Sequence, residues 1–299
     1  MNIGFIGAGK VGTAFGKYLS NNHFSVKGYY SRSKKSAERA ADFTGSNAYC
    51  NINDLTQHSD IIFITTNDDE ISRVCKMLIN GDLLTQGQIL VHMSGASSSR
   101  ILEGAKERGC FIYSLHPLQA FADIGKAVED LHHTVFSIEG DCEKIHVLQE
   151  ILESTGNKYF NIRSDQKSIY HAAACVVSNY LVTLMDYGLS LFEAIGINNH
   201  DGFKALYPLI EGSLKNIASL GTKEALTGPI ARGDVKTIEG HIEAIGDIFL
   251  KELDFYKLMG SMTLDLAKSG KLNDRNKAEK MEEILGDRIK IGEKISLPE

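Results

Sequence analysis

The sequence predicts two domains, an α/β domain with a doubly wound sheet followed by an all-helical domain. Up to about residue 162, short β-rich runs alternate with helical patterns. Several of these runs are continuously apolar, as expected for strands of a parallel sheet that is covered on both faces. After residue 164 the strand-like runs stop and long helical periodicities replace them. We therefore place the domains at 1–162 and 163–299.

The alternation of strands and helices in the first domain predicts βαβ units, which build parallel sheets. We predict strands at Asn2–Ile6, Ser25–Tyr30, Ile61–Thr65, Ile89–Met93, Phe111–Leu115 and Thr134–Ile138, with a last one near Lys158–Ile162. Helical patterns between them include Val11–Asn21, Lys35–Thr44 and Ser98–Glu107.

The second domain has helical periodicity throughout. We predict helices at Asp165–Ile195, Asp201–Ser219, Val235–Ala244 and Leu250–Ser269, followed by a charged tail from Asn276. The first of these is near 30 residues, longer than a typical globular helix, and is apolar enough to be largely buried. Such a helix crosses a domain or runs through a subunit interface.

Composition favours a soluble cytoplasmic protein. The 299 residues carry a net charge of -6, which argues against a nucleic-acid partner. The five cysteines are scattered without a C-x-x-C pair, so they fit neither a disulfide framework nor a zinc site. The N-terminus has no basic region or cleavage site of a signal peptide. We also expect no membrane span, because no stretch approaches about 18 apolar residues.

A glycine-rich turn follows the first predicted strand and opens a helix. It reads Gly7-Ala8-Gly9-Lys10-Val11-Gly12. In the dinucleotide-binding fingerprint the first glycine allows the turn, the second lets a pyrophosphate approach the backbone, and the third allows the helix to pack on the strand. The pyrophosphate then lies at the positive end of the helix. This context predicts a Rossmann dinucleotide-binding domain, with a simple glycine turn as the alternative.

The end of the second strand favours NADP over NAD. An NAD enzyme places Asp or Glu there to bond the ribose hydroxyls, whereas this chain has Ser31-Arg32-Ser33 followed by Lys34 and Lys35. A guanidinium can bind the 2′-phosphate of NADP in a fork. The alternative is a solvated basic loop.

Polar residues follow three other predicted strands, at the edge where a doubly wound sheet binds its ligand. We expect Thr65, Thr66 and Asn67 to flank the cofactor riboses, and Ser94 and Gly95 to lie near the nicotinamide. The segment from Ser94 is also typical of a turn with a helix N-cap. His116 precedes a proline, which favours an extended backbone pointing into the cleft. There it can orient a substrate or act as an acid, or it can simply be satisfied by backbone bonds.

The long predicted helix carries a polar stripe. His171, Cys175, Ser178 and Asn179 fall at i, i+4, i+7 and i+8, which places them on one helical face. Buried polar groups need partners, and a substrate cleft supplies them. We favour site roles for His171 and Asn179 and packing roles for Cys175 and Ser178. The alternative is a set of core polar groups bonded to one another.

A glycine-flanked loop over 227–234 separates two of the later helices. Asp234 is well placed to cap the next helix. Arg232 can bind an anionic group of the substrate or reach a partner subunit.

Four stretches of the chain resemble a family of Rossmann-like proteins that carry a helical domain of unknown function, DUF2520. They are GFIGAGKVGTAFG at the start, SLHPLQAF at 114–121, HAAACVVSNYLVTL at 171–184 and LTGPIARGD at 226–234. The family is related to 3-hydroxyacid dehydrogenases, pyrroline-5-carboxylate reductase and prephenate dehydrogenase. The resemblance implies NADP binding, an interdomain cleft, and a homodimer formed by a helical domain like the C-terminal one of 6-phosphogluconate dehydrogenase.

The chain departs from the pattern of these relatives at one position. The hydroxyacid dehydrogenases have a catalytic Lys four residues before an Asn of the long helix. If that Asn corresponds to Asn179, this chain has Cys175 at the Lys position, and a thiol does not replace an ammonium as proton donor without another mechanism. His171 or His116 then has to move the proton.

The function predicted from these residues is an NADP-dependent oxidoreductase. It would transfer hydride to or from a small carbonyl, imine or hydroxyacid, with Asn179 orienting the substrate and Arg232 holding a carboxylate. Two alternatives remain: a non-catalytic NADP-binding or sensing protein, and a reductase that passes hydride between NADP and a deazaflavin. No metal is predicted.

Overall fold

The computed structural model describes residues 1–286, with the side chains of residues 250 and 251 left aside. The chain divides into two compact units, Met1–Leu181 and a second from Val182 onward. Strands end at Asn161, close to the domain boundary predicted at 162/163, but the first unit also includes the helix that follows. The domain boundary itself stays a prediction.

The first unit is built on one eight-stranded sheet in the order β3-β2-β1-β4-β5-β6-β7-β8. All neighbouring strands pair in parallel except β6 and β7, which are antiparallel. This confirms the predicted doubly wound α/β class. The strands are β1 Asn2–Ile6, β2 Ser25–Tyr30, β3 Asn47–Tyr49, β4 Ile61–Ile64, β5 Ile89–His92, β6 Phe111–Pro117, β7 Phe136–Gly140 and β8 Tyr159–Asn161.

Seven of these strands lie where the sequence predicts them, with ends that differ by up to two residues. The short β3 was not predicted. Its three residues are polar or small and mostly exposed, so they produce no apolar run. Strand β6 continues to Pro117 because its last residues pair with β7, and this places His116 inside the ladder opposite Ser137.

Helices cover both faces of the sheet, as the continuous apolar runs require. On one face Phe5 stacks on Tyr29 and Phe63. On the other, Ile62 and Ile64 belong to a second buried cluster. The helices of this unit are α1 Lys10–Asn21, α2 Lys34–Thr44, α3 Ile52–Gln57, α4 Asp68–Asn80, α5 Ile124–Asp130, α6 Ile145–Ser154 and α7 Lys167–Val177, with 3₁₀ segments at Ser99–Arg108, Leu131–His133 and Ser164–Gln166.

A helix predicted at Ser98–Glu107 is therefore a 3₁₀ segment, and the long helix predicted at Asp165–Ile195 is two helices. Ser178, with φ −113° and ψ −70°, separates α7 from the next helix. The break changes the helical phase, so the eight-residue spacing from His171 to Asn179 no longer keeps both on one face. The expectation that this helix is largely buried is also wrong, since Val177 is 73% and Tyr180 63% exposed.

The second unit is helical, as predicted. Its small core joins Ile238, Leu264 and Met281. The helices are α8 Asn179–Ala194, which begins in the first unit, then α9 Asn199–Ala225, α10 Pro229–Arg232, α11 Val235–Ile248, α12 Leu250–Lys268 and α13 Arg275–Leu285. The charged segment predicted as a tail from Asn276 forms α13 as far as Leu285, and the rest of it lies outside the described residues.

One helical segment is long and apolar enough to cross a membrane, contrary to the sequence expectation. Ser164–Ala194 spans 31 residues with a mean hydropathy of 1.3 over its most apolar window. The segment was missed because polar residues interrupt its apolar run, while its alanines, cysteine and bulky apolar residues keep the average high. Its first part is nevertheless anchored to the sheet, because Lys167 is buried and bonded to Ser114.

A buried polar network ties α1 to the far edge of the sheet. The Tyr18 hydroxyl donates to Asn157 Oδ1 at 2.8 Å. Asn157 Nδ2 in turn donates to the carbonyls of Leu131 and Thr134, at 2.7 and 3.0 Å. Both side chains are almost fully buried, so each bond replaces one that water would otherwise make.

We predict that Asn157→Ala lowers the free energy of unfolding by about 2–4 kcal/mol, because the buried Thr134 carbonyl loses its side-chain donor, while the Leu131 carbonyl and the Tyr18 hydroxyl each lose one of their two hydrogen-bond partners within the described chain. Tyr18→Phe, which removes only one donor, should cost about 1 kcal/mol. Urea unfolding of both variants measures the difference. A cost for Asn157→Ala no larger than that for Tyr18→Phe would contradict this account.

Candidate functional site

The glycine turn after β1 has the geometry of a phosphate-binding loop. Gly7 has φ +113°, and a Cβ there would lie 2.6 Å from the Thr65 carbonyl carbon. At Gly12 a Cβ would lie 2.2 Å from Thr65 Oγ1, whereas at Gly9 it would meet nothing nearer than 3.9 Å. The first and third glycines are therefore required by packing on β4, and the second leaves the loop open above the backbone. No side chain caps the first turn of α1, so its free N–H groups can receive an anion.

A cavity of about 330 Å³ begins at this turn and follows the strand ends. It contains most of the predicted cofactor residues: Gly7, Ala8, Gly9, Ser31, Arg32, Thr65, Thr66 and Asn67. It also contains residues that the sequence analysis did not single out: Ile6, Tyr30, Ser36, Glu70, Arg73, Val74 and Met77. The other seven predicted cofactor residues do not line it: Lys10, Val11, Gly12, Ser33, Lys35, Ser94 and Gly95. Ser33 caps α2 by accepting the Ser36 N–H, and Lys35 is exposed.

The outer end of this cavity carries two arginines around one carboxylate. Arg32 Nη1 lies 3.8 Å and Arg73 Nη1 3.5 Å from Glu70 Oε2. Both guanidiniums are about three-quarters exposed, so these pairs contribute little to stability and remain free to turn toward another anion. Arg73 was missed because it stands on α4, eight residues beyond the polar strand end that the sequence analysis followed.

A second cavity continues along the sheet from the glycine loop. Lys10, Val11, Asp68, Met93, Ser94 and Phe121 line it together with Gly9 and residues 64–67. The Ser94 hydroxyl donates to Asp68 Oδ2 at 2.6 Å and accepts the N–H groups of Ala96 and Ser97. Ser94 thus fixes the turn after β5 and lines the cavity at the same time, while its place near a nicotinamide stays a prediction.

His116 is held at the end of β6 by a tyrosine from α7. Its Nδ1 lies 2.6 Å from the Tyr170 hydroxyl oxygen, and the rings meet edge to face. Burial first, and then the charge of Lys167 with smaller contributions from His171 and His92, lowers the pKa of His116 to about 3. The ring is therefore neutral at physiological pH, so it does not carry a proton of its own to give as an imidazolium.

His171 and His116 converge on Gly95. A Cβ on Gly95 would lie 2.5 Å from His171 Nδ1 and 2.7 Å from His116 Nε2, so the two nitrogens share one small space that only glycine leaves open. His171 Nδ1 is buried and has no hydrogen-bond partner among residues 1–286, while its Nε2 lies 3.5 Å from Cys175 Sγ. The structure thus brings three predicted site residues together in the first unit.

Lys167 is a buried cation that the sequence analysis missed. Its side chain is 1% exposed, and Nζ donates to Ser114 Oγ at 2.7 Å. Ser114 in turn donates to the carbonyl of Ser94, at 3.3 Å. Burial lowers the pKa of Lys167 to about 8, although the negative charges of Glu139 and Asp68 oppose the effect. Lys167 stands four residues before His171, and this spacing is the signal that was available in the sequence.

Two titratable residues lie deepest in this cluster, the acidic Glu139 and the basic His92, and both bind neighbouring backbone N–H groups. Glu139 accepts hydrogen bonds from the Ser99 N–H, the Ser99 hydroxyl and the Ser164 hydroxyl. His92 is fully buried and accepts the Ser94 N–H at Nδ1, which leaves its Nε2 without a partner in the described chain. Burial lowers the pKa of His92 to about 4, with a further contribution from the charge of Lys167.

The remaining predicted site residues are not part of this cluster. Asn179 starts α8 and is exposed, and its side chain makes no hydrogen bond within residues 1–286. Asp234 caps α11 as predicted, accepting the Thr237 N–H. Arg232 lies in the second unit, in an open cavity with Lys236, Lys277 and Lys280. A role for Asn179 or Arg232 toward a substrate stays a prediction.

Residues 1–117 match the model of a Rossmann-like domain, and residues 134–263 match a domain of unknown function, DUF2520. The chain combines a Rossmann-like domain with a DUF2520 domain. This confirms the resemblance on which the sequence analysis drew. No curated protein sequence matches the chain.

Several solved structures share the fold. A protein from Thermotoga maritima is 28% identical, with a TM-score of 0.71 over 89% of this chain and 98% of its own. A candidate NADP oxidoreductase from Bacteroides fragilis is 22% identical, with a TM-score of 0.73 over 88% and 98%. An imine reductase from a Pseudomonas species is 19% identical, with a TM-score of 0.63 over 95% and 99%. At these identities the last two are evidence of the fold alone.

The neutral histidines predict an acid-sensitive fold. In the unfolded chain each imidazole binds a proton as the pH falls below about 6.5, whereas in the folded protein His92 does so only near pH 4 and His116 near pH 3. The unfolded state therefore binds more protons in this window. The free energy of unfolding should fall by about 1.4 kcal/mol per pH unit for each histidine as the pH drops through it.

Urea unfolding at pH 7, 6 and 5 measures this slope. In His116→Gln the slope should be shallower by about 1.4 kcal/mol per pH unit, because one of the two depressed groups is gone. His146→Gln, at an exposed position, is the matched control and should leave the slope unchanged. Equal slopes in the wild type and His116→Gln would show that His116 is not held neutral by the fold.

Proposed function

We propose that this protein is an NADP-dependent oxidoreductase that reduces a small carbonyl or imine, or oxidises the corresponding product. The observation that carries the proposal is a row of groups along the strand ends of the first unit. Two neighbouring cavities run from two arginines, past an open glycine loop and uncapped helix, to Ser94, and the next residue, Gly95, lies against the imidazoles of His116 and His171. Such a row fits the phosphate, pyrophosphate and nicotinamide ends of NADP in that order.

Each part of the row has a distinct task in this proposal. Arg32 and Arg73 turn from Glu70 toward the 2′-phosphate and bind it. The backbone at Gly9 and Lys10 binds the pyrophosphate, and the turn at Ser94 lies against the nicotinamide. Bound NADPH supplies the hydride. His116 Nε2 lies at the mouth of this turn, where it orients the acceptor atom of the substrate.

Fold relatives that include an imine reductase and a candidate NADP oxidoreductase are consistent with this reaction class. Of the two alternatives, a non-catalytic NADP sensor is the stronger. The Lys of the hydroxyacid dehydrogenases is replaced by Cys175, which removes their proton donor. The buried Lys167 favours an enzyme, because an uncompensated interior ammonium lowers stability and is retained where chemistry needs it. No particular contact favours a deazaflavin.

The cofactor preference is tested by titrating cofactor-free protein with NADPH and with NADH, following nicotinamide fluorescence. We expect a strong preference for NADPH, which Arg32→Glu removes because a carboxylate repels the 2′-phosphate. Glu70→Gln should strengthen NADPH binding, since the two arginines no longer have a competing anion. Arg39→Glu, an exposed change on the same helix as Lys35 that does not line the cavity, is the matched control. Equal affinity for both nucleotides would contradict NADP specificity, and no binding of either would remove the oxidoreductase proposal.

We further propose that the protein is a homodimer formed through its helical part. Helices α8 and α9 bury almost nothing within one chain, since α8 has no buried residue and α9 only Gly202. Large apolar side chains are exposed along them, including Leu209 at 67% and Leu220 at 58%. A monomer rarely keeps so extended an apolar surface in water. A second copy is favoured over a membrane as its cover, because Lys167 and Tyr170 fix the start of the same helical segment to the sheet.

Light scattering on purified protein should give twice the monomer mass of 32.9 kDa. Leu209→Glu should weaken the dimer, because it places a charge in an apolar contact. Glu211→Gln on the same helix is the matched control and should not. A monomer that stays soluble and folded at micromolar concentration would contradict the proposal.

A further inference from the structure

The contacts around His116 form a line that leads from a half-buried phenol to the glycine at the proposed nicotinamide position. The Tyr170 oxygen lies 2.6 Å from His116 Nδ1 on one side of the ring. On the other side, Nε2 faces Gly95, where a Cβ would lie 2.7 Å away. The two nitrogens of one imidazole thus connect Tyr170 with the place where a substrate atom would sit.

The direction of the Tyr170–His116 hydrogen bond follows from what surrounds the phenol. The Tyr170 hydroxyl carries one proton, and the hydrogen bond that residues 1–286 offer it is the one to His116 Nδ1. Burial raises the pKa of Tyr170, which keeps the phenol protonated and able to donate. The Tyr170 proton then points to His116 Nδ1, and the neutral ring carries its own proton on Nε2, toward Gly95.

Lys167 places a positive charge beside the Tyr170–His116 pair. Its Nζ lies 5.5 Å from the centre of the Tyr170 ring and makes one hydrogen bond, to Ser114 Oγ. No carboxylate of the described residues lies within ion-pair distance of Nζ; Glu139 is occupied by Ser99 and Ser164, and Asp68 by Ser94. An ammonium left without a counter-ion stabilises a negative charge that forms nearby during a reaction.

We propose that Tyr170 is the proton source of the reaction, with His116 passing the proton to the substrate and Lys167 as the positioning residue that stabilises the resulting phenolate. The inference rests on the proposed function and deepens it. As hydride reaches the carbon of a C=O or C=N group, the oxygen or nitrogen takes the proton from His116 Nε2. His116 Nδ1 takes the proton of Tyr170 at the same time. Tyr170 is left as a phenolate and recovers its proton from water, to which it is partly exposed.

The first test needs neither cofactor nor substrate. In ¹⁵N-histidine-labelled protein, with His116→Gln used to assign the signal, His116 should be neutral from pH 5 to 8 with its proton on Nε2. Tyr170→Phe removes the donor to Nδ1, so the ring should populate both tautomers. Lys167→Met removes a nearby positive charge, so the pKa of His116 should rise by about one pH unit.

The other groups that face His116 are kept in these variants: His171 on α7, His92 on β5 and Ser137 on β7. Lys126→Met, an exposed change on α5, is the matched control and should leave both the tautomer and the pKa unchanged. Thermal unfolding confirms that each variant is folded. A proton on Nδ1 in the wild type, or an unchanged His116 pKa in Lys167→Met, would overturn the proposal.

Turnover gives the second test once a carbonyl or imine panel has supplied a substrate. Tyr170→Phe should lower kcat by about 10²-fold or more with little change in KM, the usual loss on removing an acid. Retained turnover in Tyr170→Phe overturns the relay but leaves the oxidoreductase proposal standing. Failure to bind NADPH removes the oxidoreductase proposal. The ¹⁵N signals of His116 test the hydrogen-bond geometry of the relay independently of cofactor binding.

Discussion

The seating of α7 on the end of the sheet is the constraint on which the candidate site depends. One buried hydrogen bond, from Lys167 Nζ to Ser114 Oγ, joins the first turn of this helix to β6. The next turn brings Tyr170 to His116 and His171 to Gly95. Without that seating, β6 would end in a solvated histidine and the two imidazoles would not share a space. Burial keeps both His92 and His116 neutral, and the charge of Lys167, which the same bond holds in the interior, adds to this effect.

The antiparallel pairing of β6 with β7 is what makes this seating possible. The connection from β6 to β7 carries α5, which packs against α1. Strand β7 then pairs antiparallel with β6 and sets Glu139 opposite Ser114 and Ser137 opposite His116. Side chains two apart on a strand share a face, so the four polar groups form one patch under α7. The patch contains a serine beside each of its two titratable groups.

Sequence patterns were sufficient for the architecture of the first unit and for the cofactor loop, because both depend on local rules. Continuous apolar runs identify strands covered on both faces, and the spacing of Gly7, Gly9 and Gly12 reflects contacts with the neighbouring β4. Sequence patterns were insufficient for Lys167, Tyr170 and Arg73, because the contacts of these side chains depend on which strand their helix packs against. A lysine at a helix start is ordinarily a solvated residue, and only its 1% exposure distinguishes this one. No proline or glycine marks the helix break at Ser178 in the sequence. The apolar periodicity therefore predicted one continuous helix where the structure has two.

The central claim is that one cleft of the first unit holds NADP with its nicotinamide at Gly95, beside His116. A crystal structure of the protein grown with NADP⁺ tests it most directly. We expect the 2′-phosphate between Arg32 and Arg73, the pyrophosphate on the N–H groups that open α1, and the nicotinamide against Ser94 and Gly95 within contact of His116. A nicotinamide bound away from the Ser94–Gly95 turn, or a nucleotide bound outside the glycine loop, would contradict the account.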